Sequence, residues 1–345
     1  MDIGKIHEAM EENELITDRR RFILDTAAVF AAIALPGLSL HSRSVNAAPL
    51  QPVRLGYQFH LWGATAVVAV REGMFKAEGL TVQDRKFSSG AEARNGMVAG
   101  SIDVGTVGLT PFVIGATLGD LVAMGAVCYA GRSGLVMAKK GVKSIGELRG
   151  KKIASQVGST LDNVFKKKIA PEAGLTEKDY QIVNSQFSDH VAALASGSVD
   201  AFLGLEPFCS IAEAKGIAVP LTDYFKYDII PNMLAVSSKF ADKYPDTCVA
   251  FMRAWLSASD LFAKNPNHVA DIMLRMYKES GYELEPAMVR RIVSRLIVNP
   301  DYIPELPASI EAEAASLKSA GKLDRIPDPK KILITEFLTK ARQKT

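Results

Sequence analysis

Hydroxyl side chains stand at two predicted helix starts, each just after a short predicted strand. Ser89-Gly90 follows the strand that ends at Phe87, and Ser159-Thr160 opens the helix that comes after Gln156-Val157-Gly158. A helix start offers unpaired backbone N–H groups and the positive end of the helix dipole, which stabilises a nearby anion by roughly 0.3–1 kcal/mol. The pattern predicts that these residues hold the anionic end of a ligand.

A threonine and a carboxylate occupy matching positions of a repeated motif. One copy reads Gly108-Leu109-Thr110-Pro111 and the other reads Gly204-Leu205-Glu206-Pro207. If both copies face a common cleft, Glu206 pairs with an amino group of the ligand while the hydroxyls hold its anionic end. This combination suits a small zwitterion or polar anion. The alternative is a Glu206 side chain that points to solvent.

Aromatic residues and one arginine are the remaining candidates for the ligand pocket. Tyr57 ends the first predicted strand, and His60 and Trp62 lie in the loop that follows it. Packing of this loop onto the core explains them equally well. Arg132 lies on a segment that we expect to cross between two lobes, where it would supply a fixed counter-charge. A solvated loop arginine is the alternative.

The repeat also predicts the fold. Gly100 and Gly197 each follow a predicted helix, where glycine supplies the left-handed cap. Short apolar runs come next, at 102–107 and 199–203, and then a proline expected at the first position of a helix. Each half of the chain reads strand, helix, strand, helix, strand, helix. We therefore expect an α/β protein of two lobes, each a mostly parallel sheet flanked by helices, with the ligand cleft between the lobes.

The order of the elements suggests how the chain is divided between the lobes. We expect residues 48–137 and 237–345 to form lobe 1, and residues 138–236 to form lobe 2. From residue 237 onward the pattern is helical nearly to the end, with at most a short strand near 331–334. Such a tail would wrap the first lobe.

Residues 1–47 have the features of a twin-arginine signal peptide. They contain Arg19-Arg20-Arg21-Phe22-Ile23, an apolar run over 23–40, and small residues near 45–47. Asp25 and Pro36 within the apolar run argue against a membrane anchor. We expect export by the twin-arginine machinery and a soluble periplasmic protein after removal of the signal.

Composition limits the other functions. The 345 residues are 48% hydrophobic, which is enough for two domains of ordinary size. Three Cys and five scattered His offer neither a disulfide scaffold nor a metal cluster, so we expect no cofactor and no metal. Without residues 1–47 the net charge is a mild +5, and the basic clusters have no interleaved aromatic residues. Nucleic-acid binding is therefore not expected, and we expect a monomer.

The chain resembles the periplasmic substrate-binding proteins of ABC transporters for sulfonates, taurine and nitrate, which are related to binders of thiamine-pyrimidine precursors. The resemblance rests on residues 87–90, 99–111, 145–160 and 196–207. It implies a type II two-lobed fold, a small-molecule ligand bound by hinge closure, and docking on a membrane permease with its ATPase. It also implies a pocket built from Ser89, Gly90, the turn from Gly108 to Thr110, Ser159, Thr160 and Glu206.

Two departures from that family bear on the ligand. Leu109 stands where the family often has Asp, and Leu205 stands where it often has Trp. We expect His60 and Trp62 to reshape the pocket in compensation. An aromatic or pyrimidine-type ligand held by Tyr57 and Trp62 is therefore an alternative.

Two other functions are compatible with the same scaffold. A periplasmic module that binds a ligand and signals to a membrane receptor would have the same sequence features. An enzyme is less favoured, because the thiamine-pyrimidine synthase relatives carry a Cys-rich cluster and Cys128, Cys209 and Cys248 are far apart. We therefore expect a binding protein without catalytic activity.

Overall fold

Ten strands form two five-stranded sheets in the computed structural model, which describes residues 49–343. The strand order is β2-β1-β3-β10-β4 in the first sheet and β7-β6-β8-β5-β9 in the second. The strands are β1 (Val53–Gln58), β2 (Val82–Phe87), β3 (Val104–Gly108), β4 (Leu121–Tyr129), β5 (Gly134–Lys139), β6 (Lys152–Ser155), β7 (Gln181–Asn184), β8 (Ala201–Leu205), β9 (Ala218–Asp223) and β10 (Pro231–Ser237).

Each sheet has four strands running in one direction and one running against them. β1 is parallel to β2 and β3, while β10 is antiparallel to β3 and β4. β6 is parallel to β7 and β8, while β5 is antiparallel to β8 and β9. The reversed strand is in each case the one that has just crossed from the other lobe. The expectation of two mostly parallel sheets is confirmed.

These crossings move the boundaries between the lobes. The predicted boundaries at 137/138 and 236/237 would cut β5 and β10, but β5 pairs only within the second sheet and β10 only within the first. Residues 130–133 and 224–230 connect the lobes. Strand propensity does not reveal which sheet a strand joins, so the sequence placed both boundaries several residues too late.

The two connections are hydrogen-bonded to each other. The N–H of Ala130 donates to the carbonyl of Ile230 at 2.9 Å, and the N–H of Gly131 donates to that of Ile229 at 3.0 Å. Ile230 has a φ of 51°, an unusual left-handed conformation for a β-branched residue. Both passages of the chain between the lobes therefore run side by side.

Helices cover the faces of both sheets. A π-helical turn, Phe165–Ile169, joins the fifth and sixth helices. The helices are α1 (Ala64–Arg71), α2 (Met74–Ala77), α3 (Gly90–Val98), α4 (Leu109–Leu118), α5 (Thr160–Val164), α6 (Ala170–Glu172), α7 (His190–Ala195), α8 (Phe208–Ala214), α9 (Ser238–Lys243), α10 (Pro245–Lys264), α11 (Pro266–Glu279), α12 (Pro286–Val293), α13 (Leu306–Ser319), α14 (Pro329–Ile332) and α15 (Glu336–Arg342).

The repeated motif folds as a helix cap followed by a buried strand. Gly100 and Gly197 have φ values of 70° and 77°, in the left-handed region that favours glycine. The strands that follow, β3 and β8, are buried throughout. The prolines are not at the predicted position, because Pro111 is the third residue of α4 and Pro207 immediately precedes α8. The N–H groups at the start of a helix have no acceptor within the helix. A proline, which has no N–H, is therefore tolerated at both positions.

The C-terminal tail contacts both lobes rather than the first lobe alone. α10 and α11 pack on α1 of the first lobe, and Ile297 forms a bridge with Tyr129 of β4. In contrast, the ring of Tyr282 lies edge-on to Phe208 of the second lobe, with ring centroids 5.7 Å apart. Periodicity identifies the buried face of a helix but not which lobe covers that face. Near the end of the tail, the expected short strand is a single parallel bridge between Leu333 and Ala123.

Within residues 49–343, no helix combines the length and the apolar character that a membrane crossing requires. The predicted signal peptide, residues 1–47, lies outside the described residues.

Candidate ligand-binding site

A small pocket, with a cavity volume of about 30 Å³, lies between the lobes at the carboxyl ends of strands from both sheets. Gln58 ends β1 and Gly108 ends β3 on one side, and Phe187 follows β7 on the other. Side chains at the ends of parallel strands meet at one edge of a sheet, which is where α/β proteins bind ligands. The lining residues are Gln58, His60, Trp62, Ser89, Gly90, Ala91, Gly108, Pro111, Gln156, Val157, Ser159, Thr160 and Phe187.

The structure brings most of the predicted ligand residues together in this pocket. They come from both lobes and from loops that are distant in sequence. The predicted residues that line the pocket are His60, Trp62, Ser89, Gly90, Gly108, Ser159 and Thr160.

Three hydroxyl groups of the pocket can donate hydrogen bonds to a ligand. The Oγ atoms of Ser89 and Ser159 each accept the backbone N–H three residues later, at 3.1 Å. Thr160 Oγ1 accepts the N–H of Thr110 at 3.2 Å. Each oxygen is thus held in place as an acceptor, and none of the three hydroxyls donates to another residue within 49–343. Their hydrogens are available for an anion.

Two helix starts approach the pocket from opposite lobes. α3 begins at Gly90 in the first lobe, and α5 begins at Thr160 in the second. The first N–H groups of a helix have no acceptor within the helix, and the helix dipole favours negative charge beside them. The serines that precede both starts form side-chain caps, so the local sequence determines where these amides lie.

His60 is a neutral hydrogen-bond donor in the wall of the pocket. Burial lowers the pKa of His60 to about 3, so the ring is uncharged at neutral pH. Its Nδ1 accepts the N–H of Trp62 at 3.4 Å, which leaves the proton on Nε2. The His60 ring packs edge-on against Trp62 and Phe187, with ring centroids 5.8 Å and 6.1 Å away. Trp62 Nε1 donates to Ser133 on the lobe connection at 3.0 Å, so this indole is held within the protein.

Two glutamines in the lining differ in their partners. Gln58 Nε2 donates to the carbonyl of Thr106 at 2.5 Å, and Gln58 Oε1 accepts the Thr106 hydroxyl at 2.5 Å. Gln58 is therefore satisfied within the first lobe. Gln156 is buried, with 8% of its surface exposed, and its Oε1 has no hydrogen-bond partner within the part of the chain described.

Glycine lets the two lobes approach each other closely. A Cβ on Gly108 would lie 2.7 Å from Thr160 Oγ1 of the other lobe, closer than real Cβ atoms come to an oxygen. Within the first lobe, a Cβ on Gly90 would lie 3.1 Å from the backbone nitrogen of Gly108, so glycine there lets the start of α3 pack close to the end of β3. Gly108 has a φ of −65°, so the need for glycine arises from this approach and not from the backbone conformation.

Glu206 does not line the pocket, which corrects its predicted role. Its carboxylate is fully buried and accepts the N–H and the hydroxyl of Ser210, at 3.0 Å and 2.9 Å. It also pairs with Arg295 from the C-terminal tail. The carboxylate that was expected to bind a ligand amino group is instead part of an internal ion pair.

Three other predicted residues also lie outside the lining. The hydroxyl of Tyr57 donates to Asp84 at 2.8 Å, and the guanidinium of Arg132 lies over the Phe225 ring, 4.7 Å from its centroid. Thr110 supports the pocket from behind, because its N–H holds Thr160. Side-chain direction depends on the position of a strand within its sheet and on the path of the lobe connection, which the sequence did not provide.

Several lining residues were not predicted. Ala91, Pro111 and Gln58 are each next to a predicted residue, and Gln156 and Val157 lie two or three positions before Ser159. Phe187 occupies the position in the second half that Phe87 occupies in the first, so the internal repeat was the signal that pointed to it.

The described residues contain no cluster of three or more His, Cys, Asp or Glu side chains suited to a metal ion. Cys128, Cys209 and Cys248 are buried and unpaired, and burial raises the pKa of the Cys248 thiol to about 12. None of the three cysteines lines the pocket.

Two lobes joined by paired connections around a polar pocket define the class of two-lobed binding proteins. The alkanesulfonate-binding protein SsuA from Xanthomonas axonopodis pv. citri, solved with bound MOPS, has the same fold. The two structures align with a TM-score of 0.74 at 21% identity, over 84% of this chain and 100% of the other.

Residues 46–274 match the NMT1-like family, and the chain belongs to this family. It is 26% identical over 304 residues to a candidate binding protein of Brucella abortus (strain 2308), covering 86% of this chain and 94% of the relative. It is 25% identical over 336 residues to a candidate aliphatic sulfonates-binding protein of Bacillus subtilis (strain 168), covering 94% of this chain and 97% of the relative.

Proposed function

We propose that this protein is the extracytoplasmic solute-binding receptor of an ABC importer and that its ligand is a small organic anion of the sulfonate class. The observation that carries the proposal is the set of three hydroxyls, Ser89, Ser159 and Thr160, whose oxygens are occupied by backbone N–H groups and whose hydrogens are available. They lie beside two helix starts and the Nε2–H of His60. The pocket thus presents an excess of donors from both lobes.

A sulfonate matches this arrangement. It carries three acceptor oxygens and stays ionised at any pH at which the protein is folded. It therefore accepts hydrogen bonds and donates none through this group. Hydrogen bonds to a charged group contribute about 1.5–3 kcal/mol each, and micromolar affinity requires about 8 kcal/mol. A few of the donors present would therefore suffice without a basic side chain. The B. subtilis relative named for aliphatic sulfonates and the SsuA structure support this ligand class.

Ligand binding from both sides favours closure of the lobes. Ser89 and Gly90 belong to the first lobe, and Ser159 and Thr160 belong to the second. A ligand that bonds to both lobes stabilises the closed form over the open one, and the paired connections at Ala130 and Ile230 provide the hinge. In this proposal the closed, loaded protein docks on a membrane permease with its ATPase. It acts as a carrier and not as an enzyme.

The proposed location is the periplasm, reached through the twin-arginine signal in residues 1–47. The mature protein would then meet its ligand and the permease on the same side of the membrane. A further structure with the same fold, SsuA from Escherichia coli, is named as a periplasmic aliphatic sulphonate binding protein, which supports this location.

Isothermal titration calorimetry of residues 48–345 with ethanesulfonate, taurine, sulfate and nitrate tests the proposal. We expect micromolar binding of an organosulfonate and at least a tenfold loss of affinity in Ser159→Ala. Ser144→Ala is the matched control, because Ser144 also precedes a short helix but is exposed and outside the pocket. A folded protein that binds no organosulfonate would refute the ligand class.

A further inference from the structure

Gln156 carries a side-chain acceptor without a donor, in a pocket where the other side-chain acceptors described above already accept hydrogen bonds. Its side-chain oxygen is buried without a partner in the described chain, while 8% of the residue remains exposed. Gln58 is satisfied by Thr106, and the three hydroxyls and His60 are donors. The pocket therefore offers many donors and a single side-chain acceptor with nothing to accept. A buried acceptor that stays unpaired is unfavourable, so a bound ligand is expected to supply it with a donor.

The charge around the pocket limits what this donor can be. No Asp or Glu lines the pocket. Glu206, the nearest predicted counter-ion for an amino group, is buried against Arg295 and Ser210. Asp162, close to Ser159, is likewise occupied by the hydroxyl of Ser155 and by Lys166. An ammonium group moved into this pocket would lose its hydration without gaining a carboxylate partner.

We propose that the ligand carries a neutral hydrogen-bond donor, a hydroxyl or an amide N–H, beside its anionic group, and that Gln156 Oε1 accepts this donor. The inference rests on the proposed function and specifies it further. Hydroxyalkanesulfonates and amide-bearing sulfonates fit the pocket better than plain alkanesulfonates, and aminoalkanesulfonates fit it worst. Gln156 is then the residue that determines specificity, while the hydroxyls of Ser89, Ser159 and Thr160 hold the anion in all cases.

Three probes with the same two-carbon chain test this order by calorimetry. Isethionate carries a hydroxyl, ethanesulfonate carries a hydrogen at the same position, and taurine carries an ammonium. For the unmodified protein we expect isethionate to bind about tenfold more tightly than ethanesulfonate, and taurine to bind more weakly than both. Equal affinity for isethionate and ethanesulfonate, or tightest binding of taurine, would overturn the inference while leaving the proposed function intact. Binding of none of the three by folded protein would overturn the proposed function and this inference together.

Two variants assign the effect to Gln156. Gln156→Met keeps the length of the side chain but removes the acceptor, so the ratio of the isethionate and ethanesulfonate dissociation constants should fall to about one. Gln156→Glu supplies a carboxylate, so taurine should gain at least about tenfold relative to isethionate. This second variant shows a gain and cannot be imitated by misfolding. An unchanged order of the three probes in both variants would refute the role of Gln156.

Discussion

Arg295 of the C-terminal tail forms an ion pair with Glu206 of the second lobe, and the Glu206 carboxylate is fully buried. The two residues are 89 positions apart. Two residues further along the tail, Ile297 is bridged to Tyr129 of the first sheet. The tail thus holds both lobes beside the pocket, and this contact removes from the pocket the carboxylate that the sequence assigned to it.

Removing Arg295 should strongly destabilise the protein. Arg295→Met leaves Glu206 buried without a cation, and breaking a buried pair in this way costs about 3–5 kcal/mol. The free energy of unfolding in urea measures the effect. Arg291→Met is the matched control, because Arg291 pairs at 3.6 Å with Glu213 and both side chains are about half exposed, so about 0–1 kcal/mol is expected.

The double variant Glu206→Met with Arg295→Met should recover most of the lost stability. It removes both charges and leaves apolar side chains of similar volume in their place. If the double variant were as unstable as Arg295→Met alone, the loss would come from packing and not from an unpaired charge.

Glu313 forms hydrogen bonds to residues of both lobes, next to the pocket. Its carboxylate accepts a hydrogen bond from Asn163 of the second lobe at 2.6 Å and another from the hydroxyl of Thr110 in the first lobe. Glu313→Ala should weaken the closed form and lower ligand affinity about tenfold, because Thr110 also positions Thr160. Small-angle scattering should show a larger radius of gyration for the variant with ligand than for the loaded unmodified protein.

The exposed Glu311 on the same helix provides the control for Glu313. Glu311→Ala should change neither the affinity nor the scattering. Equal effects of the two substitutions would contradict the role of the Glu313 hydrogen bonds in holding the closed form.

Gly108→Ala should reduce ligand affinity much more than it reduces stability. The added Cβ would meet Thr160 Oγ1 at 2.7 Å only when the lobes are closed. We expect at least a tenfold rise in the ligand dissociation constant and a change of less than about 1 kcal/mol in the free energy of unfolding. Gly146→Ala, where the nearest atom would lie at 3.9 Å, should change neither quantity appreciably. A Gly108→Ala protein with unchanged affinity would show that the lobes need not approach this closely.

His190 should make stability fall as pH is lowered. It is buried between Phe187 and Phe202, and burial lowers its pKa to about 4. A histidine in the unfolded chain titrates near 6.5, so between about 4 and about 6.5 the unfolded chain binds more protons than the folded one. The stability that His190 contributes is therefore complete above about 6.5 and is lost as the pH falls, by up to about 1.4 kcal/mol per pH unit.

Urea denaturation of the unmodified protein and of His190→Gln across this pH range measures the contribution. The unmodified protein should show the steeper loss of stability with falling pH. His60, whose pKa is lowered to about 3, adds a similar dependence in both proteins and cancels from the comparison. Parallel curves for the two proteins would contradict the assignment to His190.

Local signals in the sequence were sufficient for the architecture. Gly100 and Gly197 cap helices, β3 and β8 follow as buried strands, and the internal repeat predicts two similar α/β lobes. The caps and the strands depend on backbone preferences within a few residues, and the repeat is visible by comparing two stretches of the sequence, so none of these signals requires knowledge of the tertiary structure. The helix caps at Ser89 and Ser159 are equally local, which is why these residues were placed correctly at the two helix starts.

The amino-acid sequence by itself determined two mostly parallel sheets, the capped helix starts and most of the residues that line the pocket. Only the tertiary structure decided that Glu206 turns away to Arg295, that the tail spans both lobes and that Gln156 is left as the unpaired acceptor. The physical reason is that the partner of a buried polar group is chosen by long-range packing. Arg295 contacts Glu206 only because the tail packs on the second lobe, and no spacing in the sequence predicts that contact.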